Sequence, residues 1–329
     1  MASSQTQERD AQEKGGSNYE CDNVFRSLPK EEGWKIIDLY QYQQFWYPDR
    51  YLTGVISSQK HFQARDTDLF VITTPKAGTT WLKSLTFSIV NRSNYTPSTH
   101  PLLTKNSHAL VPFLEIRLYA NNQIPDLSTL QSPRIFGTHI SCGSLPESIK
   151  DLNCRIVYLC RNTKDTFVSL WHFYNKCGGG SQNKIEIGDA FELYCKGVSA
   201  FGPFWEHVLG YWKLSLERPN NVLFLKYEDL IEDTSSQLKK LAEFLGYPFS
   251  SEEVEKGAVD EIIRLCSFES LSNLEVNKTG KLNPKIDITN NVFFRKAKVG
   301  DWENHLTQEM VERLDHITQE KLNGSGLEL

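Results

Sequence analysis

A short loop, Thr74-Pro75-Lys76-Ala77-Gly78-Thr79-Thr80-Trp81, brings together residue types that suit the binding of an anion. It follows the apolar run 68–73 and precedes a helical pattern over 80–90. The first backbone N–H groups of a helix lack partners, and the helix dipole places partial positive charge there. Lys76 adds a full charge, and two threonine hydroxyls add donors. Because the lysine precedes the glycine, the loop differs from the nucleotide-hydrolase pattern GxxxxGK[ST] and predicts a phosphate site of another kind.

A second candidate for chemistry is His139, which closes the apolar run 134–138. Open α/β sheets bind ligands outside the carboxyl ends of their strands, and this histidine falls at such an end. An imidazole titrates near neutral pH and is suited to taking a proton from a hydroxyl. A lone histidine at a strand end is more often structural, so its assignment as a general base depends on further residues.

The elements that must position these residues follow from the apolar pattern. Strands buried on both faces of a parallel sheet are nearly continuous apolar runs, and four such runs span 68–73, 134–138, 154–160 and 221–226. Helical patterns between and after them span 80–90, 166–174, 204–216, 235–245 and 307–321. Strands that alternate with helices indicate βαβ crossovers. We therefore predict an α/β fold with one domain, a doubly wound central parallel sheet, helices on both faces and a P-loop-like anion loop. The strand order is not determined by the pattern.

Composition limits the classes of function. The 329 residues include 36 Lys and Arg against 41 Asp and Glu, for a net charge of −5, and 39% of them are hydrophobic. That fraction suffices for a core and excludes a wholly disordered chain. The acidic balance lacks the broad basic face of a nucleic-acid binder, and no stretch approaches the ~18 apolar residues of a membrane span. We expect neither a nucleic-acid nor a membrane partner.

The amino-terminal segment and the cysteines bear on compartment and metal binding. Segment 1–20 is polar and has no apolar core, so we predict a disordered segment rather than a secretion signal, followed by one domain over 21–329. Seven cysteines without a CxxC pair suit reduced thiols in the cytoplasm. No cluster of His, Cys and carboxylates has ligand spacing, so we expect no metal.

Further segments carry a resemblance to a known family. Arg161 closes one apolar run and Ser169 follows it, and later come Tyr227 in LKYED, Cys266-Ser267-Phe268, and Phe294-Arg295-Lys296-Ala297-Lys298-Val299-Gly300-Asp301-Trp302. Together with the PKAGTTW loop, and in this order, they resemble the cytosolic sulfotransferases from roughly residue 60 onward. The variants look most like the plant branch that acts on flavonols, brassinosteroids and hydroxyjasmonates. The resemblance implies transfer of a sulfuryl group from 3′-phosphoadenosine 5′-phosphosulfate to a hydroxyl of a small acceptor, without a metal.

The resemblance also implies a role for each residue. Lys76 would hold the oxygen that bridges phosphate and sulfonate, where negative charge grows as the S–O bond breaks. His139 would be the base, since the Thr138-His139 pair matches the family's catalytic strand end. The donor would be held by Lys76, Ala77, Gly78, Thr79, Thr80 and Trp81 of the loop, by Arg161, Ser169, Arg295, Lys296 and Ala297 at the 3′-phosphate, by Cys266 and Phe268 at the adenine, and by Tyr227.

On the acceptor side the resemblance implies an apolar, aromatic pocket. Phe113 and Phe173 match positions that line it, and the aromatic run Phe45-Trp46-Tyr47 is a weaker candidate for its mouth. Loops around 91–130 and 176–190 would shape the pocket, and three successive glycines at 178–180 indicate a mobile segment. The acceptor itself is not determined by the sequence.

Three positions depart from the family pattern. The animal branch has a lysine two residues before the catalytic histidine, where this chain has Gly137. Ala297 replaces the glycine of an RKG signature, which would matter if the residue needed a positive φ. Segment 303–312 matches the animal dimerisation motif poorly, so we expect a monomer.

Two other functions remain open. A catalytically weak member of the same fold that binds a nucleotide or hormone is suggested by Gly137 and Ala297, and it would form no sulfated product. A small-molecule kinase would use the anion loop on ATP with a metal, although the GK[ST] pattern is absent.

Overall fold

The computed structural model describes residues 25–32, 34, 35, 37–177, 184–281 and 289–329, so the predictions for 1–20 and 178–180 lie outside the described residues. A small antiparallel sheet comes first along the chain. Its strands are β1 (Lys30–Glu31), β2 (Leu39–Tyr42) and β3 (Phe45–Pro48), and they pair in that order. Aromatic residues favour extended structure, and β3 is the aromatic run assigned above to the pocket mouth.

Four parallel strands form the central sheet. They are β4 (Leu69–Thr73), β5 (Ile135–Thr138), β6 (Arg155–Cys160) and β7 (Val222–Lys226). They lie in the order β5-β4-β6-β7, and every pairing is parallel. Each strand begins and ends within one residue of a predicted apolar run. The α/β fold with a parallel central sheet is confirmed.

The sheet divides the apolar interior into two cores. Along β4, Phe70 and Ile72 pack into one core, whereas Leu69 and Val71 pack into the other. Successive side chains of a strand point to opposite faces, so a sheet in the middle of a domain is covered twice. This is why the strands read as continuous apolar runs rather than as alternating ones.

Helices cover both faces of the sheet. They are α1 (Asp49–His61), α2 (Thr79–Asn91), α3 (Ser107–Leu110), α4 (Glu147–Asp151), α5 (Thr163–Cys177), α6 (Ile187–Cys195), α7 (Phe204–Glu217), α8 (Tyr227–Glu232), α9 (Thr234–Leu245), α10 (Ser251–Glu255), α11 (Ala258–Leu265), α12 (Phe268–Asn273), α13 (Glu275–Lys278) and α14 (Gln308–Leu322). Helices α1, α5, α6, α7 and α14 pack on the face of Phe70, and α2, α9, α11 and α12 pack on the face of Leu69. In the described ranges, none of the helices combines the length and the apolar character needed to cross a membrane.

The strand order creates a crevice between β4 and β6. The chain leaves β4 for α2 on one face of the sheet and leaves β6 for α5 on the other. Such a reversal marks the point where open α/β sheets bind ligands, outside the carboxyl ends of the strands. The anion loop follows β4 and Arg161 follows β6, so the crevice joins two separately predicted motifs.

Candidate active site

The anion loop turns sharply between β4 and α2. Gly78 caps α2 with a φ of 107°, and a Cβ at this position would lie 2.8 Å from the ring of Tyr227. Only glycine fits both the conformation and the space. Lys76 also has a positive φ, 71°, which is uncommon for a residue with a side chain and recurs at functional sites. As expected for a helix start, the N–H groups of Thr79 and Thr80 make no hydrogen bond within the described residues.

Lys76 lies at the centre of the crevice. Its Nζ is 4.4 Å from the ring centroid of Phe173. Burial lowers the pKa of Lys76 to about 8, and although Cys177 raises it, Arg295 and Arg161 lower it further. Burial and the repulsion from neighbouring cations destabilise the charged form of Lys76, so an anion that binds beside it stabilises that form.

His139 presents one defined ring nitrogen to the cavity. Its Nδ1 lies 2.6 Å from the carbonyl oxygen of Thr73, and because a carbonyl only accepts, Nδ1 carries the hydrogen. Burial lowers the pKa of His139 to about 3, although the Thr73 carbonyl raises it. The imidazole is therefore neutral at physiological pH. Its Nε2 keeps a free lone pair, since no described residue forms a hydrogen bond with it.

A buried carboxylate and a second histidine fix the backbone at His139. The two oxygens of Glu115 accept from Thr138 Oγ1 at 2.8 Å and from the His139 N–H at 2.9 Å. Burial raises the pKa of Glu115, and these hydrogen bonds oppose the rise. On the other side, His207 Nε2 donates to the His139 carbonyl at 3.0 Å. The ring of His139 is thus held by its own Nδ1 and by both peptide groups around it.

Basic side chains also gather in the crevice. Lys296 Nζ is 2.6 Å from Asp301, which also pairs with Arg295. Burial opposes the effect, but these bonds hold the pKa of Asp301 well below its usual range. Arg161 stacks 4.7 Å from the ring centroid of Tyr227, and its buried Nε has no hydrogen-bond partner within the described residues. We call Arg161, Arg295 and Lys296 the basic cluster. Its N–H groups include donors that remain free to bind a phosphate.

Asp165 holds the segment that carries the basic cluster. Its carboxylate accepts the N–H groups of Gly300 at 2.9 Å and Trp302 at 3.2 Å and lies 3.3 Å from Arg161. One buried acid therefore joins the start of α5 to the late segment around Arg295. The sequence brings these residues together only through the fold, since they are more than 130 positions apart.

Aromatic rings form a slot beside the loop and the basic cluster. Trp81 and Tyr227 meet edge to face, with ring centroids 5.6 Å apart, and Phe268 lies 6.2 Å from Phe294. Cys266 is fully buried beside them. Flat apolar walls of this kind suit a planar base.

A cavity of about 830 Å³ joins all of these groups. Nearly every residue predicted for the site lines it: Lys76, Gly78, Thr79, Thr80, Trp81, Phe113, His139, Arg161, Ser169, Phe173, Tyr227, Cys266, Phe268, Arg295, Lys296 and Ala297. Ala77 does not, because its side chain is fully buried behind the loop and its N–H donates to the Thr74 carbonyl at 3.3 Å.

The aromatic run on β3 lies away from the cavity. Tyr47 is fully buried and packs 5.6 Å from Phe201, which is itself a cavity residue. The ring centroids of Phe45 and His207 lie 6.1 Å apart. None of Phe45, Trp46 and Tyr47 is among the residues that line the cavity. Trp46 and Tyr47 are buried, whereas Phe45 is half-buried, so a place for this run at the pocket mouth stays a prediction.

Two arginines also line the cavity. Arg50 is the second residue of α1 and stacks 4.8 Å from the ring centroid of Tyr51. Arg117 lies in the helical turn Leu114–Leu118. Both line the cavity and are exposed, and neither pairs with a carboxylate within the described part of the chain. These arginines were not predicted from the sequence.

Two departures from the family pattern have a structural consequence. Ala297, which replaces a glycine, has a positive φ of 51°. This conformation costs a residue with a Cβ roughly 1 kcal/mol. Gly137 lies on β5, which pairs with β4, and a Cβ at this position would overlap Cε and Nζ of Lys83.

The sequence offered one signal for the buried polar groups near β5, namely an acid at Glu115 inside an apolar segment.

The described cysteines and acids give no sign of a metal or disulfide framework. Cys142, Cys154, Cys160, Cys177, Cys195 and Cys266 are all free. Within the ranges that the structure describes, no group of three His, Cys, Asp or Glu side chains is placed to hold a metal ion.

Known proteins share both the sequence and the fold. The family described as "Sulfotransferase domain" matches residues 66–326. Cytosolic sulfotransferase 15 of Arabidopsis thaliana is 50% identical over 321 residues, which cover 96% of this chain and 89% of the relative. A crystal structure of an A. thaliana protein assigned only provisionally as a steroid sulphotransferase has a TM-score of 0.74 at 41% identity and covers 93% of this chain and 94% of that one. The structure of mouse sulfotransferase SULT7A1 complexed with PAP has a TM-score of 0.68 at 26% identity and covers 87% and 95%.

Proposed function

The chain belongs to the sulfotransferase family, and from that premise we propose that it transfers the sulfuryl group of 3′-phosphoadenosine 5′-phosphosulfate to a hydroxyl of a small acceptor, with His139 as the base. One observation carries the proposal. The anion loop and the basic cluster line a single cavity, and His139, whose Nε2 is free, lines the same cavity. An adenosine with phosphate groups at both its 3′ and 5′ positions matches that arrangement of charge.

Each end of the donor has matching partners. The loop around Lys76 and the start of α2 would hold the 5′-phosphosulfate, while Arg161, Ser169, Arg295 and Lys296 would hold the 3′-phosphate. The aromatic slot of Trp81, Tyr227 and Phe268 would hold the adenine. No step needs a metal, because these cations neutralise the donor.

The reaction would proceed by in-line displacement. His139 Nε2 takes the proton of the acceptor hydroxyl as its oxygen bonds to sulfur. The bond between sulfur and the phosphate oxygen breaks, and Lys76 stabilises the charge that develops on this oxygen. The products are the sulfated acceptor and adenosine 3′,5′-bisphosphate. Thr73 contributes through its carbonyl, which fixes the proton on Nδ1 and leaves Nε2 free to act.

The acceptor end favours an acidic acceptor. Flavonols, brassinosteroids and hydroxyjasmonates are the classes that the plant branch suggests, and among them the hydroxyjasmonates carry a carboxylate. Arg50 and Arg117 line the cavity without a carboxylate partner among the described residues, and guanidinium groups bind carboxylates well. We therefore rank a hydroxy acid of the hydroxyjasmonate type first, followed by flavonols and then brassinosteroids.

The experiment is an acceptor panel with radiolabelled donor. It compares hydroxyjasmonates, flavonols, brassinosteroids and simple phenols, and it includes ATP with magnesium in place of the donor. We expect labelled product with at least one hydroxyl acceptor and the highest kcat/KM with the hydroxy acid. Tight binding of adenosine 3′,5′-bisphosphate without product from any class would favour the nucleotide- or hormone-binding alternative. Turnover that requires ATP and magnesium would favour the kinase.

Two further properties follow from similarity alone. The relatives from A. thaliana are named cytosolic, so we propose the cytosol as the site of action. The poor match of 303–312 to the animal dimerisation motif supports a monomer, which sedimentation would test.

A further inference from the structure

One buried lysine beside the anion loop has no role in the scheme above. Lys83 on α2 is fully buried, and no carboxylate in the described residues lies within ion-pair distance of it. Burial lowers the pKa of Lys83 well below its usual value, with Glu115 raising it and Arg117 lowering it further. A buried amine without an ionic partner destabilises a fold. Since an apolar side chain would fit a core better, its contacts point to a function.

The position of Lys83 is defined from three directions. Its Nζ lies 3.0 Å from the ring centroid of Phe113 and 3.4 Å from His108 Nδ1. On the third side is Gly137, where a Cβ would overlap the end of the lysine. Gly137 therefore admits Lys83 to a place next to the strand that ends at His139.

His108 connects this lysine to the anion loop. Its Nε2 is 3.1 Å from Thr80 Oγ1, and its ring is held between Phe113, with centroids 5.2 Å apart, and Phe293, at 4.5 Å. Thr80 and Lys83 are three residues apart on α2, so they lie on one face of the helix and meet the same imidazole. Burial lowers the pKa of His108 well below its usual value, which keeps the ring neutral.

The three residues form a hydrogen-bond chain with one direction. Lys83 has N–H donors whether its amine is charged or neutral, and in this chain one of them is donated to His108 Nδ1. The neutral imidazole then carries its hydrogen on Nε2 and donates it to Thr80 Oγ1. The hydroxyl of Thr80 is left with its own hydrogen to donate, and no second partner for it occurs among the described residues. Thr80 lines the cavity at the start of α2, where an anion binds.

We propose that Lys83 and His108 are positioning residues that turn the Thr80 hydroxyl into a hydrogen-bond donor to the phosphosulfate end of the donor substrate, and that Gly137 makes room for this chain. The inference rests on the proposed function, because the ligand is the donor named there. The inference also explains why a glycine stands at position 137, because the absence of a side chain leaves space for Lys83 of α2.

The first test is binding of adenosine 3′,5′-bisphosphate by calorimetry, together with the KM values of donor and acceptor. In His108→Leu the chain is broken, and we expect the Kd for the bisphosphate and the KM for the donor to rise about tenfold, with the acceptor KM unchanged. His108→Gln keeps a donor and an acceptor on one terminal carbon, so it should recover most of the loss. Thr80→Val should match His108→Leu, and the double variant should be no worse than Thr80→Val alone.

A second pair of variants separates function from folding. Lys83→Met removes the buried amine and keeps the chain length, so we expect an equal or higher thermal midpoint with a donor KM raised about fivefold. Thr86→Val on the same helix is the matched control: Thr86 is buried, and its hydroxyl has no partner within the described residues. It should leave the donor KM unchanged.

The outcomes separate two failures. If His108→Leu and Lys83→Met bind the bisphosphate as tightly as the wild type, or if the losses in His108→Leu and Thr80→Val simply multiply, the hydrogen-bond chain has no such role and the inference is overturned. If the wild type itself does not bind the bisphosphate, the proposed function fails and the inference falls with it.

Discussion

Of the cations that we propose for the donor, Arg161 directly follows β6 and Lys76 lies in the loop after β4, whereas Arg50 and Arg117, proposed for the acceptor, come from the first turn of α1 and an isolated helical turn. The donor cations also have internal partners. Arg161 contacts Asp165, and Arg295 contacts Asp301. The two acceptor arginines are exposed and have no carboxylate partner among the described residues.

The contrast shows how one enzyme can combine a fixed donor with a variable acceptor. The late segment that carries Arg295 is held by Asp165, and Arg161 and Arg295 each contact a buried carboxylate, so their positions are fixed. Exposed side chains without such partners tolerate substitution with little effect on the fold. The donor end is therefore expected to respond to mutation through catalysis as well as binding, and the acceptor end through acceptor KM alone.

The largest effect expected at the sheet edge is that of His139→Ala. Removing the proposed base should lower kcat by about 10²- to 10⁴-fold. The Kd for adenosine 3′,5′-bisphosphate should change less than about twofold, because in the proposed reaction the ring acts on the acceptor hydroxyl and does not bind the phosphates. Single-turnover rates and calorimetry measure the two quantities. His316→Ala, at an exposed position on α14, is the control. Wild-type turnover in His139→Ala would show that another group takes the proton.

A smaller effect is expected from pH at Lys76. Its pKa of about 8 in the free protein lies below the usual value, so the ammonium form is present below about pH 8 and is lost above it. Because the donor binds to the charged form, kcat/KM for the donor should fall by up to about tenfold per pH unit above pH 8. Lys76→Arg keeps the charge and should remove this alkaline limb even if kcat is reduced. An unchanged limb in Lys76→Arg would assign it to another group.

The smallest effect is expected at the acceptor end. Arg50→Ala and Arg117→Ala should each raise the KM for an acidic acceptor about fivefold, as exposed ion pairs contribute at most about 1 kcal/mol. Neutral acceptors and the donor KM should be unaffected. Steady-state kinetics with matched pairs of acceptors, one acid and its methyl ester, provide the measurement. Equal changes for acid and ester would mean that the arginines do not bind a carboxylate.

Much of the fold followed from local pattern. The four strands of the central sheet lie within one residue of their apolar runs, because residues buried on both faces leave a continuous signal. The small sheet of β1 to β3 was missed, since its strands are short and its first strand is exposed. The strand order is not determined by the local pattern, because it depends on the route that each crossover takes across the sheet.

The predicted site residues mostly share one cavity, and the exceptions have physical causes. Ala77 is fully buried in the turn between Lys76 and Gly78, both of which have a positive φ. Phe45 and its neighbours read equally well as pocket or core, and Trp46 and Tyr47 pack into the core. His108 and Lys83 carry no motif of their own, so only their contacts reveal them, whereas Glu115 is an acid inside an apolar segment.

By itself, the sequence determined the parallel strands, the anion loop that follows β4 and the order of the donor motifs, because each of these depends on residues adjacent in the chain. Only the tertiary structure decided that Asp165 meets Gly300, that Lys83 fills the space beside Gly137, and that Arg50 and Arg117 share a cavity with His139. Contacts between residues far apart in the chain depend on how the crossovers pack against the sheet, and local propensity carries no record of that packing.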